Sequence, residues 1–207
     1  MPSIDFAQAF TFFLVLLFSL TVHEAAHAWS ADRLGDGTAR MLGRVSLNPA
    51  VHVDPIGTIL FPVMALFTGF PLIGWAKPVP VALRNLRGNW RRKYMLIAAA
   101  GPASNVLLAL VAAGLFRLLE PGVSPLALLL YGLIQLNVLL AVFNMLPIPP
   151  LDGGNVLGGL LHGAAADALD RLRPFGFVIL YLLLLSGALW AIVGPVERWA
   201  VGHLVGV

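Results

Sequence analysis

The chain has 207 residues, of which 59% are hydrophobic and only 11% charged, with a formal net charge of +3 and no cysteine. A water-soluble domain of this size carries about a quarter charged residues, so lipid is the main solvent here, and one membrane-embedded domain over 1–207 is expected. The absence of cysteine excludes disulfides, thiolate catalysis and thiolate-held metals, and leaves histidine and carboxylate as the available metal ligands.

The first apolar run extends from Phe6 to about Trp29. Only Asp5 is charged before it, and no small-residue cleavage site precedes His23, so it reads as a working span and not as a removed leader. The next, Ile56 to Gly74, starts after Pro55 and is interrupted by Pro62, Gly69 and Pro71. It continues into Gly74–Val81, where Pro78 and Pro80 remove donors and favour extended chain. Tyr94 to Phe116, Leu126 to Leu146 and Phe175 to Val193 complete four runs that approach or exceed the roughly 20 apolar residues of a membrane helix.

Charge decides how the interrupted run is threaded. A full crossing at 56–74 would divide the 13 lysines and arginines 8 to 5 between the two sides, whereas a run that dips in and returns divides them 11 to 2. The bias of basic residues toward the cytoplasm favours the second arrangement. The expected fold is therefore an all-α polytopic membrane protein, with about four transmembrane helices plus a re-entrant helix and extended hairpin at 55–81. Residues 30–93 and 148–173 are expected on the cytoplasmic side, with both termini outside. The basic residues flank apolar runs, as lipid anchors do, and no nucleic-acid partner is expected.

Chemistry concentrates in His23-Glu24-Ala25-Ala26-His27. Histidines at i and i+4 share a helical face and reach one ion, while the Glu between them stands beside the attacking water as a general base. Two histidines and a glutamate are costly in a membrane helix, which points to function over helix-packing hydrogen bonds. A catalytic zinc takes three protein ligands and leaves one position open. For the third, Asp152 is the outstanding candidate, set between Pro147, Pro149, Pro150 and the pair Gly153-Gly154, which would permit a sharp turn. Taken alone, Asp-Gly-Gly also reads as an ordinary turn. His23 lies 17 residues after Phe6, about 26 Å along a helix, near the same membrane face as Asp152 in the re-entrant arrangement.

HEAAH at 23–27, Ala100-Gly101-Pro102, and Asn144–Gly154 as NMLPIPPLDGG together resemble the site-2 protease family of intramembrane zinc metalloproteases. LGRVSLNPAVHVDPIGT at 42–58 and GWAKPVPV at 74–81 resemble its short prokaryotic branch, and the resemblance covers nearly the whole chain. It implies one zinc per chain on His23, His27 and Asp152, with Glu24 as general base. It also implies that Asn144 contacts the substrate backbone or developing oxyanion, with an interhelical hydrogen bond as the other reading. The edge of 75–81, with Trp75, Lys77 and Val79, would receive an unwound substrate strand. The implied partners are membrane-protein substrates and the bilayer, in a prokaryotic plasma membrane with the site toward the cytoplasm. Connections at 117–125 and 30–55 are too short for a PDZ domain, and no CBS-like tail is expected.

The alternatives are a metal transporter, which needs no glutamate directly after the first ligand, and a non-catalytic membrane scaffold, against which the intact ligand set argues. His52 and Asp54 are read as a structural pair over a metal site, Asn105 and Asn137 as helix-packing groups, and His162 and His203 as solvated. Arg84, Arg87, Arg91, Arg92 and Lys93 read as a headgroup anchor.

Overall fold

The computed structural model describes residues 6–68 and 74–206. The first apolar run forms helix α1, Phe6–Arg33, with no proline or glycine to interrupt it. Lys93 caps its C-terminal end by donating Nζ to the Leu34 carbonyl at 2.9 Å, where the helix dipole favours a cation. A short helix α2, Thr38–Met41, follows. Asp36 before it is fully buried. It accepts from Thr38 N and Oγ1, from Ala82 N at 2.6 Å and from Asn85 Nδ2 at 2.7 Å.

The interrupted run does not cross. A π-helical turn over Pro55–Leu60, opened by Asp54, leads into helix α3, Phe61–Thr68. The chain is back beside its starting point by Gly74. Trp75 N donates to Gly57 O at 3.2 Å, Thr58 Oγ1 donates to Trp75 O at 2.8 Å, and Lys77 N donates to His52 O at 2.8 Å. The two ends of the hairpin are thus tied together, which is the arrangement that the charge distribution favours. Residues 69–73 lie outside the described residues. The return limb from 74 to 82 is extended, without a partner strand among the described residues. Ile56, Ile59, Leu60, Met64 and Phe67 are exposed on the hairpin, an apolar surface suited to lipid.

Helix α4, Trp90–Leu119, starts on the Asn89 cap, which accepts from Arg92 N at 3.1 Å, and helix α5, Pro125–Asn144, starts on the Ser124 cap with proline at its first position. Both are long and apolar enough to cross a bilayer, as is α1. Ala109, Ala112 and Ala113 of α4 allow α5 to approach through Leu130, Ile134 and Val138. After α5 come helices α6, Asp152–Leu160, and α7, Ala164–Leu172.

The fourth run, Phe175–Val193, is broken. It divides into α8, Gly176–Leu185, and α9, Ala188–Val205, with the axis bent by 76°. Gly187 sits at the bend with φ +77°, a backbone region open to glycine and strained for other residues. The bent pair still traverses the protein. Leu189 and Val193 pack with Leu151, Leu180 and Leu184, while the far end of α9 gives the carbonyls of His203 and Leu204 to Arg117 at the end of α4.

Candidate metal centre

His23 and His27 lie one turn apart on α1 and are buried, being 4% and 8% exposed. Asp152, the first residue of α6, meets them. His23 Nε2 is 3.1 Å and His27 Nε2 3.3 Å from Asp152 Oδ2, and the two Nε2 atoms are 3.0 Å apart. Among the described residues this is the group of three that could hold a metal ion. Zinc bonds of roughly 2.0–2.1 Å in a tetrahedron separate neighbouring donors by about 3.3 Å, so the observed triangle fits that ion. The face beside the histidines is closed by Gly101 of α4. A Cβ there would come within 2.6 Å of His23 Nε2 and closer still to His27 Nε2, so only glycine leaves the donors free.

The other ring nitrogens are engaged. His27 Nδ1 donates to the Ile97 carbonyl at 2.7 Å, and a carbonyl can only accept, so the Nε2 lone pair faces the triangle. His23 Nδ1 meets Asn105 Oδ1 at 2.6 Å.

Asp152 reaches this point through close backbone packing, and the expectation of a sharp glycine turn is corrected. Gly153 and Gly154 have ordinary helical backbone in the first turn of α6 and are absent from the positive-φ glycines. What they lack in side chain matters instead. A Cβ on Gly153 would run into the carbonyls of Met145 and Leu146, and one on Gly154 would sit 2.7 Å from Pro149 N. The helix therefore folds flat against the proline-rich segment, and its positive N-terminal end carries the carboxylate.

Glu24 is 9% exposed, and its Oε2 accepts from the backbone N–H of Val79 at 3.0 Å. The return limb of the hairpin thus lies against the glutamate. Arg44, itself buried, donates to the carbonyls of Lys77 and Pro78 from the same limb. The Trp75 ring packs against Phe61 at the hairpin base, with centroids 5.1 Å apart, while the Lys77 side chain is exposed. Asn144, half-buried at the end of α5, donates to Leu140 O one turn back at 3.0 Å. His52 Nε2 bonds Ser46 O at 2.8 Å, and Asp54 caps the π-helical turn through Ile56 N and Gly57 N. Neither joins the metal-ligating group.

Three side chains have places that residue type alone does not assign. Asn105 is a partner of His23 as well as a helix-packing group, and Arg44 with Asp36 fastens the return limb to the end of α1. A signal for Asn105 was present, since it follows Gly101 by four residues and so shares its helical face.

The model of peptidase family M50 matches residues 122–186. The chain is 38% identical over 181 residues to a Bacillus subtilis protein named "Putative zinc metalloprotease YwhC", covering 84% of this chain and 79% of that one. It is 33% identical over 178 residues to "Putative zinc metalloprotease Rip2" of Mycolicibacterium smegmatis, covering 84% of this chain and 66% of that one. A Methanocaldococcus jannaschii protein, "Putative zinc metalloprotease MJ0611", is 48% identical over 61 residues, 30% of this chain and 31% of that one. No solved structure matches. With apolar helices able to cross a bilayer and a donor set suited to zinc, the chain belongs to peptidase family M50, the site-2 family of membrane-embedded zinc metalloproteases.

Proposed function

We propose that this protein is an endopeptidase that hydrolyses peptide bonds in the transmembrane or juxtamembrane segments of other membrane proteins, working as a single membrane-embedded unit. The observation that carries the reading is the meeting of the His23, His27 and Asp152 donor atoms at 3.0–3.3 Å, with Glu24 on the same turn of α1. His23, His27 and Asp152 hold the zinc. When bound, zinc supplies Lewis acidity that polarises a peptide carbonyl and acidifies water. Glu24 takes the proton as water attacks and returns it to the departing amine. Asn144, once its amide turns from Leu140 O, donates to the developing oxyanion.

The return limb receives the substrate. Its inward donors are already used, with Trp75, Lys77 and Val79 bonded to Gly57, His52 and Glu24. Prolines at 78 and 80 have no N–H to offer a second strand. An added strand therefore donates mainly to carbonyls of this limb, at a distance from Glu24 set by the Val79 bond. In this reading the centre faces the cytoplasm of a prokaryotic plasma membrane, which the bias of basic residues supports.

The test incubates purified protein with a helical membrane substrate, as wild type, as Glu24→Gln, and as wild type with chelator. Cleavage by the untreated wild type alone is expected. Equal cleavage in all three samples would assign the hydrolysis to another agent.

A further inference from the structure

Three polar side chains outside the metal-ligating set are entirely shielded between the spans. Ser19 of α1, Asn105 of α4 and Asn137 of α5 are each 0% exposed. They form one chain of hydrogen bonds ending on His23. Asn137 Nδ2 donates to Ser19 Oγ at 2.9 Å and to the Leu133 carbonyl at 2.8 Å, Asn105 Nδ2 donates to Asn137 Oδ1 at 2.8 Å, and Asn105 Oδ1 faces His23 Nδ1 at 2.6 Å.

The direction of this chain follows from its far end. A backbone carbonyl can only accept, so the group of Asn137 facing Leu133 O must be the NH2. Its Oδ1 then faces Asn105 and demands a donor. Asn105 answers with its own NH2, which leaves its Oδ1 toward the imidazole. An amide oxygen can only accept, so His23 Nδ1 carries the proton and Nε2 keeps its lone pair toward Asp152 and His27. Reversing any one amide would set two donors or two acceptors against each other in a buried site, which costs a full desolvation penalty.

From this geometry we infer that Asn105 and Asn137 are positioning residues for the metal centre, with the Leu133 carbonyl, Asn137 and Asn105 fixing the His23 tautomer across three helices. The inference rests on the reading of His23 as a zinc ligand. It exceeds ordinary helix packing, because packing alone requires neither this polarity nor an end on a ligand ring.

The test measures zinc affinity by competition with a chromogenic chelator, and helix content and thermal midpoint in the same detergent, for wild type, Asn105→Leu, Asn105→Asp and Asn137→Leu. Loss of a partner to a ligating histidine weakens metal binding roughly 10- to 100-fold, which is the loss expected for Asn105→Leu. Asn137→Leu should lose affinity in the same direction by a smaller factor. Asn105→Asp, which retains an acceptor for His23 Nδ1, should bind more tightly than Asn105→Leu. Nitrogen-15 spectra of the His23 ring should show the Nδ1–H tautomer in wild type and a mixture in Asn137→Leu. Unchanged affinity in folded Asn105→Leu and Asn137→Leu would overturn the inference, as would equal affinities for Asn105→Asp and Asn105→Leu if the latter failed to fold normally. A wild-type protein without measurable zinc affinity would instead overturn the assignment of His23.

Discussion

Val79 donates its backbone N–H to the carboxylate of Glu24 at 3.0 Å, tying the hairpin's return limb to the α1 turn that also carries both histidines. Hydrogen bonds to a charged group contribute about 1.5–3 kcal/mol, and each 1.4 kcal/mol is about tenfold in rate. Val79→Pro removes the donor, while Val79→Ala retains it. The expected outcome is a cleavage rate roughly 10- to 100-fold lower in Val79→Pro, near wild type in Val79→Ala, with zinc content unchanged in both. Initial rates on a helical substrate, paired with metal analysis, check this.

Gly101 covers the histidine pair, and a methyl at that position would lie within van der Waals distance of both Nε2 atoms. In an ordinary helix interior, replacing glycine by alanine stabilises by about 0.5–1 kcal/mol. Here Gly101→Ala is expected to lose most of its zinc instead, while helix content is preserved. Elemental analysis of the purified variant is the measurement, and wild-type zinc occupancy would contradict it.

Gly153→Ala tests how Asp152 is delivered. The added methyl meets the carbonyls of Met145 and Leu146, so α6 must shift outward. Overpacking of this kind costs about 1–3 kcal/mol. Both the thermal midpoint and the zinc affinity should fall, whereas a glycine needed only for a turn would leave alanine harmless at helical φ.

The metal centre was legible to different depths. The spacing of His23 and His27 is local helix geometry, so their shared face follows from residue order alone. Asp152 is 125 residues beyond His27 in the chain; its proline and glycine neighbours single it out, and the re-entrant threading favoured by the basic residues sets it on the same face as His23. The role of Gly153 was misread because a glycine's missing side chain and its freedom of φ leave the same mark in a sequence. The bend at Gly187 was invisible for a related reason. Hydropathy averages over Phe175–Val193 and carries no information on the sign of one backbone angle. The bonds from Val79 to Glu24 and from Asn105 to His23 are tertiary, and no periodicity within one helix announces them.

Acid should loosen the fastening of the return limb. Burial pushes the Asp36 carboxyl upward, but the hydrogen bonds from Thr38, Asn85 and Ala82 outweigh it and hold the carboxyl below its ordinary value of 3.8. A depressed folded pKa contributes stability that is complete above the unfolded value and is lost as pH falls through the folded one. Wild type should therefore lose thermal stability progressively below about pH 4, and part of that slope should be missing in Asp36→Asn. At neutral pH the same variant should be about 1–3 kcal/mol less stable, because an amide cannot accept from all of these donors. Thermal midpoints in detergent across pH 3–7 give both comparisons.

Zinc content of Asp152→Ala against wild type and Glu24→Gln, in one detergent and at one free-zinc concentration, bears most directly on the whole account. One zinc per chain is expected in wild type and Glu24→Gln, with a large loss in Asp152→Ala. Full occupancy in a folded Asp152→Ala protein would mean that the ion is held elsewhere, and the proposed centre would be wrong.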